Sequence, residues 1–244
     1  MHLRRPEGPG GVLMARAGLD IVALAPMRHQ SERAPGKNYR DFGGLPLYHH
    51  IVRALLECGR IRQIVIDTDS PLIRQDAARH FPEVTCIERP RELCGGEVPM
   101  NRILLHDVEL FPADYYLQTH STNPLLRPQT IARAVDAFAA ALPEHDSLFS
   151  VTALHTRLWD AAGRPLNHDP QVLLRTQDLP PVFEENSNLY LFSAASLKRH
   201  GNRIGERPLL FPIPPQEAMD IDEEFDFQLA ELVYRATRLQ KDAS

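Results

Sequence analysis

Two stretches near opposite ends of this 244-residue chain carry side chains that could handle phosphates. Residues 25–38 read APMRHQSERAPGKN, placing Arg28, Arg33 and Lys37 in one loop with His29, Ser31 and Asn38 between them. Cations at the carboxyl end of a strand can hold a polyphosphate through charge-assisted bonds to its oxygens. Gly36 gives the backbone freedom to turn sharply there. The loop is not a P-loop, because Asn38 follows Lys37 where Ser or Thr would hold magnesium, and the first glycine is missing. Nor is it GxGxxG. A solvated charged loop has the same composition, so spacing alone leaves both readings open.

The second stretch, residues 219–226, reads MDIDEEFD. Asp220 and Asp222 lie two apart in an extended segment, so their side chains can point the same way. Convergent carboxylates suit Mg²⁺, which takes oxygen ligands and completes its shell with water and substrate phosphates. Asp222 equally suits the N-cap of the helix that follows, with Glu223 and Glu224 favouring its dipole. That helix carries Phe225, Leu229, Leu232 and Val233 on one face. Nucleotidyl transfer needs a phosphate cradle and a metal, so the two stretches together point to it.

The elements that must position these residues alternate in type. Asp20–Ala25 (DIVALA), ended by Pro26, is too short for a buried helix and suits a buried parallel strand. Helical spacing follows through Leu47, Ile51, Leu55 and Cys58, then a strand over Gln63–Thr68. Pro71 opens a helix running to about Phe81, with Ser70 as its N-cap. Val84–Ile87, Tyr115–Gln118, Ser147–Thr152 and Asn188–Ser193 read as strands, and Met100–Leu110 and Thr130–Ala141 as helices. This alternation predicts an α/β fold with a mostly parallel sheet covered on both faces, its ligands at the carboxyl ends of the strands. Residues 155–185 break the rhythm and read as a disordered linker or an inserted hairpin-like lobe contacting another subunit. Trp159, Val172, Leu173, Leu174 and Phe183 need burial, which favours the lobe. The expected organisation is a tail over 1–18, a core over 19–154 and 186–240, and the lobe over 155–185.

Composition excludes several classes. A net charge of −5 and a pI of about 6.1 argue against a general nucleic-acid binder. Three cysteines without a CxxC pair read as reduced cytosolic thiols, and the eleven histidines include no HExxH and no zinc spacing. No apolar run approaches the roughly 20 residues of a membrane span. The first residues, with Pro6, Pro9, Gly8, Gly10 and Gly11, do not read as a signal peptide. They suggest a loose tail, or an upstream extension of a protein starting near Met14, and a cytoplasmic location is expected.

The order of segments from Asp20 to Tyr234 resembles the cytidylyltransferase family that includes the CMP-sialic acid synthetases (acylneuraminate cytidylyltransferases). That family's first strand leads into A-R-x-x-S-K-G-x-P-x-K-N, matched here by Arg28, Ser31, Pro35, Lys37 and Asn38. Its G-K-P-L turn is similar to GGLPL at Gly43–Leu47, its S-T-D-S to DTDS at Asp67–Ser70, and its R-P-x-E-L to RPREL at Arg89–Leu93. Its R-Q-D-L-P looks like RTQDLP at Arg175–Pro180, its N-G-A-I-Y like NSNLY at Asn186–Tyr190, and its D-I-D like Asp220–Asp222.

The resemblance implies a Rossmann-like nucleotidyltransferase fold, a homodimer exchanging a small lobe, CTP and Mg²⁺ as cosubstrates, and pyrophosphate as leaving group. It implies that Arg28 and Lys37 hold the CTP phosphates, with Ser31, Arg33, Asn38 and Arg89 lining the nucleotide site. Asp220 and Asp222 would ligate the metal, and Arg175 and Asn186 would lie near the acceptor. Two departures stand out. The family's Lys-Gly is Glu32-Arg33 here, and its Q-P-T-S-P-L-R is replaced by QTHSTNPLLR over Gln118–Arg127, with His120 and Asn123 in the Gln and Ser positions. The expected acceptor is therefore a small anion, either a sialic-acid-like ulosonic acid or a phosphonate such as phosphonoformate, in a pocket near Gln118, His120 and Asn123. Arg28, His29, Arg33 and His120 around one pocket would suit a compact dianion. A non-catalytic nucleotide-binding or assembly protein is the rival class.

Overall fold

An apolar run with no polar residue to turn outward must be covered on both faces. The computed structural model, which describes residues 18–242 apart from Glu32, places Ile21–Leu24 (β1) inside a seven-stranded sheet with every residue buried. The tail expected over 1–18 lies outside the described residues except for Gly18. A short hairpin, Asp41–Phe42 (β2) and Leu45–Pro46 (β3), turns at Gly43, where φ is +61° and the Tyr234 ring leaves no room for a Cβ. Then come Leu47–Glu57 (α1), Gln63–Thr68 (β4), Pro71–His80 (α2), Thr85–Glu88 (β5) and Met100–Leu110 (α3). Tyr115–Thr119 (β6), Pro128–Ala141 (α4), Ser147–Leu154 (β7), Val182–Phe192 (β8), Ala194–His200 (α5), Pro208–Pro212 (β9) and Glu224–Asp242 (α6) complete the chain.

The sheet order is β5-β4-β1-β6-β8-β7-β9. β5, β4, β1 and β6 run parallel, β8 is antiparallel to β6 and β7, and β9 is parallel to β7. Alternation along β1 sorts its side chains between two cores. Ile21 and Ala23 join Ile51 and Leu55 of α1, Ile73 of α2, and Ile131 and Phe138 of α4. Val22 and Leu24 join Leu104 and Val108 of α3 and Leu197 of α5. Truncating one of the large side chains to Ala would cost about 2–5 kcal/mol. Ser70 caps α2 as expected, its Oγ accepting from the Ile73 amide at 3.3 Å.

The fold departs from the sequence reading in three places. β8 begins at Val182, not near 188, and its first residues pair with β7 from Val151↔Glu185 to Leu154↔Val182, so the sheet takes in residues assigned to the lobe. Between these arms, Trp159, Val172, Leu173 and Leu174 are exposed, as is Phe183 on β8, and Leu173 is 89% exposed. On α6 the expected apolar face is also turned outward. Phe225, Leu229 and Leu232 are exposed, while Phe227 and Ala230 pack on Phe42, Leu47 and Ile221. The hairpin after β2 presents its apolar side to that second stripe, and this contact fixes the rotation of the helix.

Candidate active site

The carboxyl ends of β1, β5 and β6 open on one polar cavity of about 470 Å³. β1's parallel pairing continues one step past the strand, with the Met27 amide on Asp67 O at 2.9 Å, and this delivers the basic loop to the cavity rim. Gly36 adopts φ +66° and opens a single 3-10 turn over Lys37–Tyr39, which buries Lys37 and Asn38. Asn38 clamps the loop by donating to Arg28 O at 2.8 Å and accepting from Ser121 Oγ at 2.8 Å.

Across the cavity the extended segment before α6 brings in Asp220 and Asp222. Arg33 donates to Asp222 Oδ1 at 2.7 Å, Lys37 Nζ lies 3.9 Å from the same oxygen, and Lys37 Nζ also donates to Ile221 O. Burial lowers the Lys37 pKa, opposed by the charges of Asp220 and Asp222. Burial raises the Asp220 pKa, with Asp222 adding to the rise. Asp222 is not the helix cap. The side chain of Asp226, in the first turn, reaches back instead, its Oδ2 accepting from the Asp222 and Glu223 amides at 3.1 and 2.8 Å.

Arg89 forms part of the floor. Its side chain is 1% exposed and grips Asp67, donating to Oδ1 and to the backbone O at 2.8 Å each. Behind Asp67 lies Asp107 of α3, also buried. Asp67 and Asp107 each keep a buried Oδ2 that no N–H reaches. Burial first, then the Asp67 charge, pushes Asp107 up to about 9.

Arg28, Ser31, Arg33, Lys37, Asn38, Arg89, His120, Asp220 and Asp222 all line this cavity. Burial, then the Arg203 and Lys37 charges, pushes His120 down to about 3, so its ring is neutral. The remaining expected residues are elsewhere. Gln118 sits behind His120 and bonds it at 3.0 Å. Asn123 is fully buried and donates to Met219 O at 3.3 Å. Asn186 is held by Ser150 and Thr152 at 2.6 and 3.1 Å, although the next residue, Ser187, does line the cavity. Arg175 pairs with Asp178 on an exposed turn. His29 also turns away from the cavity, stacking on Tyr39 and bonding Ser70 Oγ at 2.8 Å. The sequence reading missed Arg203, in the loop after α5, and Gly95–Gly96, a glycine pair just after Arg89–Leu93 that could have been noticed.

The donor set fits a hard cation. Asp220 Oδ1 is buried with no hydrogen-bond partner, and Asp222 faces it across the same wall. Among the described residues, the close groups of three or more metal-capable side chains are His49–Asp76–His80 and Asp67–His106–Asp107. Asp220 and Asp222 belong to neither, so an ion there would draw its other ligands from substrate and water.

The sequence pattern of the family described as Cytidylyltransferase matches residues 22–238. The chain belongs to the cytidylyltransferase family. This cytidylyltransferase is 27% identical over 229 residues to the CMP-N,N'-diacetyllegionaminic acid synthase of Legionella pneumophila, covering 86% of this chain and 94% of that one. It is 25% identical over 223 residues to N-acylneuraminate cytidylyltransferase A of Danio rerio, covering 88% of this chain. It spans only 51% of that vertebrate relative's length. Among solved structures, CMP:2-keto-3-deoxy-manno-octonic acid synthetase complexed with CTP superposes with a TM-score of 0.67 at 15% identity, covering 89% of this chain and 99% of that one. At that identity the likeness shows the fold alone, a Rossmann-like α/β sheet. No helix among the described residues of this cytidylyltransferase is long and apolar enough to cross a membrane.

Proposed function

We propose that this cytidylyltransferase transfers CMP from CTP to a sialic-acid-like ulosonic acid and releases pyrophosphate. One observation carries the reading: the basic loop after β1 and the Asp220–Asp222 pair meet across a single cavity at the strand ends. The acceptor oxygen would attack the α-phosphorus in line while pyrophosphate leaves on the opposite side. Arg28, Arg33 and Lys37 would hold the triphosphate and stabilise its growing charge. Asn38 would keep that loop in register through Arg28 O and Ser121. Arg89, fixed on Asp67, would shape the nucleotide floor. Asp220 and Asp222 would hold Mg²⁺, which when bound supplies charge neutralisation at the phosphates.

His120 on the cavity wall is held far below neutral pH and is a weak base toward the acceptor. A phosphonate oxygen is already anionic and needs no proton removed. That observation favours a second reading, a compact phosphonate acceptor such as phosphonoformate. The exposed apolar side chains between β7 and β8 support a homodimer in which this segment meets the partner.

Pyrophosphate release from CTP and Mg²⁺ with sialic acid, other ulosonic acids and phosphonoformate tests all three readings. Release with an ulosonic acid supports the first, and release with phosphonoformate alone supports the second. No release with any acceptor supports a non-catalytic nucleotide-binding protein. Replacing Asp220 and Asp222 together by Asn should reduce release at least about 100-fold; near wild-type turnover in Mg²⁺ would refute the metal assignment.

A further inference from the structure

The cations of the cavity differ in what already neutralises them. Arg33 and Lys37 face Asp222, and Arg89 is bound to Asp67. Arg28 is exposed to solvent. Arg203 is different. It is half-buried, it reaches the cavity wall, and no carboxylate among the described residues lies within ion-pair distance of it, although the charge of Glu185 is felt there. A guanidinium partly withdrawn from water with no carboxylate paired to it is costly, and a cavity that an anion enters reduces that cost.

Its orientation is fixed from two sides. Gln118 of β6 and Tyr190 of β8 are direct partners across the antiparallel pair. The Arg203 guanidinium lies flat over the Tyr190 ring, 3.5 Å from its centroid, and one Nη donates to Gln118 Oε1 at 2.5 Å. Tyr190 is itself held by a hydroxyl bond to Glu185. Gln118 spends its amide nitrogen on Thr119 O and His120, each at 3.0 Å. Arg203 lines the cavity beside neutral His120. These supports belong to the β6–β8 side, whereas the basic loop and Asp220–Asp222 stand at the end of β1 and before α6.

We infer that Arg203 is the acid-group anchor of the acceptor, gripping its carboxylate while the basic loop holds the CTP phosphates. The inference rests on the cytidylyl-transfer reading above and sharpens it to an acceptor recognised through an oxyanion group on the β6–β8 side. A planar guanidinium stacked on an aromatic ring and pinned at one edge presents its free edge for a bidentate carboxylate contact.

The test compares steady-state kinetics of the wild-type chain with Arg203→Met and Arg203→Lys. The acceptor probes are N-acetylneuraminic acid, its C1 carboxamide and phosphonoformate, each with saturating CTP and Mg²⁺. For whichever acid the wild type uses, Arg203→Met should raise the acceptor KM by about 10- to 100-fold, the loss of a charge-assisted pair. The KM for CTP should stay within about twofold, because the phosphate-binding cations are untouched. Arg203→Lys should recover part of the loss, and the carboxamide should be used equally poorly by all three proteins. An unchanged acceptor KM in Arg203→Met would overturn the assignment, as would an equal rise in the KM for CTP, which would place Arg203 on the nucleotide. A wild type that uses none of the acids removes the cytidylyl-transfer reading itself, and the anchor with it. A uniform fall in kcat and melting temperature in both variants, with neither KM moved, would make Arg203 a structural tie of its loop.

Discussion

Replacing Asp107 by Asn should flatten the pH dependence of stability between pH 6 and pH 8. Asp107 and Asp67 are buried side by side, and the one guanidinium within reach, Arg89, is committed to Asp67. Asp107 therefore keeps its proton in the folded chain up to about 9, against an ordinary value of 3.8. The unfolded chain releases that proton near pH 4, so between these values the folded state binds one proton more. A raised acid contributes stability that is fully present below the unfolded pKa and is lost as pH rises toward the folded one. Inside that window stability falls as pH rises, by on the order of 1 kcal/mol per pH unit and so by a few kcal/mol from pH 6 to pH 8. Asn carries its hydrogens permanently and donates to Asp67 without titrating. For a chain of this size the difference corresponds to about 5–10 °C in Tm. Urea or thermal unfolding of both proteins at pH 6, 7 and 8 measures it. His49, His50 and His120, whose pKa values burial lowers, tilt stability the opposite way but equally in both proteins, so the difference isolates Asp107. Parallel curves across the range would refute the retained proton on Asp107 and make it a buried carboxylate.

Two further outcomes follow from the site and its supports. Lys37→Met should lower kcat/KM for CTP by about 100-fold, because a buried cation aimed at the phosphates is worth most where water is excluded; a change under threefold would remove Lys37 from the triphosphate site. Ser70→Ala should cost about 1–2 kcal/mol and lower Tm by about 2–6 °C, since its Oγ serves both the Ile73 amide and His29. Calorimetry that finds no shift would show the cap to be replaceable by water.

The parts of the fold visible in the sequence are those where local chemistry and tertiary need agree. β1 and β4 are apolar runs covered on both faces, and α2 announces itself with Ser70 and Pro71. β2 and β3 have two residues each, too few for any periodicity, and β9 has a proline at each end. Those elements exist because neighbours are in place to receive them. The site divides in the same way. Asp220 and Asp222 alternate onto one wall because an extended segment has period two. Gln118 ends up behind His120, which alone of the two lines the cavity, and Asn123 lies farther past the strand end and turns to Met219. Arg203 carries no local mark at all, since its role depends on a pairing between Gln118 and Tyr190 that only the sheet creates.

The contacts of Lys37 with Ile221 and of Arg33 with Asp222 join residues separated by most of the chain. During synthesis the basic loop leaves the ribosome well before the aspartates, 184 residues separating Lys37 from Ile221. The sheet from β5 to β6 can assemble in the interval, but its cavity then has one wall and unpaired cations. A chain cut short before Asp220 would keep much of its core and lose the second wall entirely. Nucleotide affinity would in that way report whether translation had run through α6, and a bound nucleotide would stabilise chains that include α6 in preference to shorter ones.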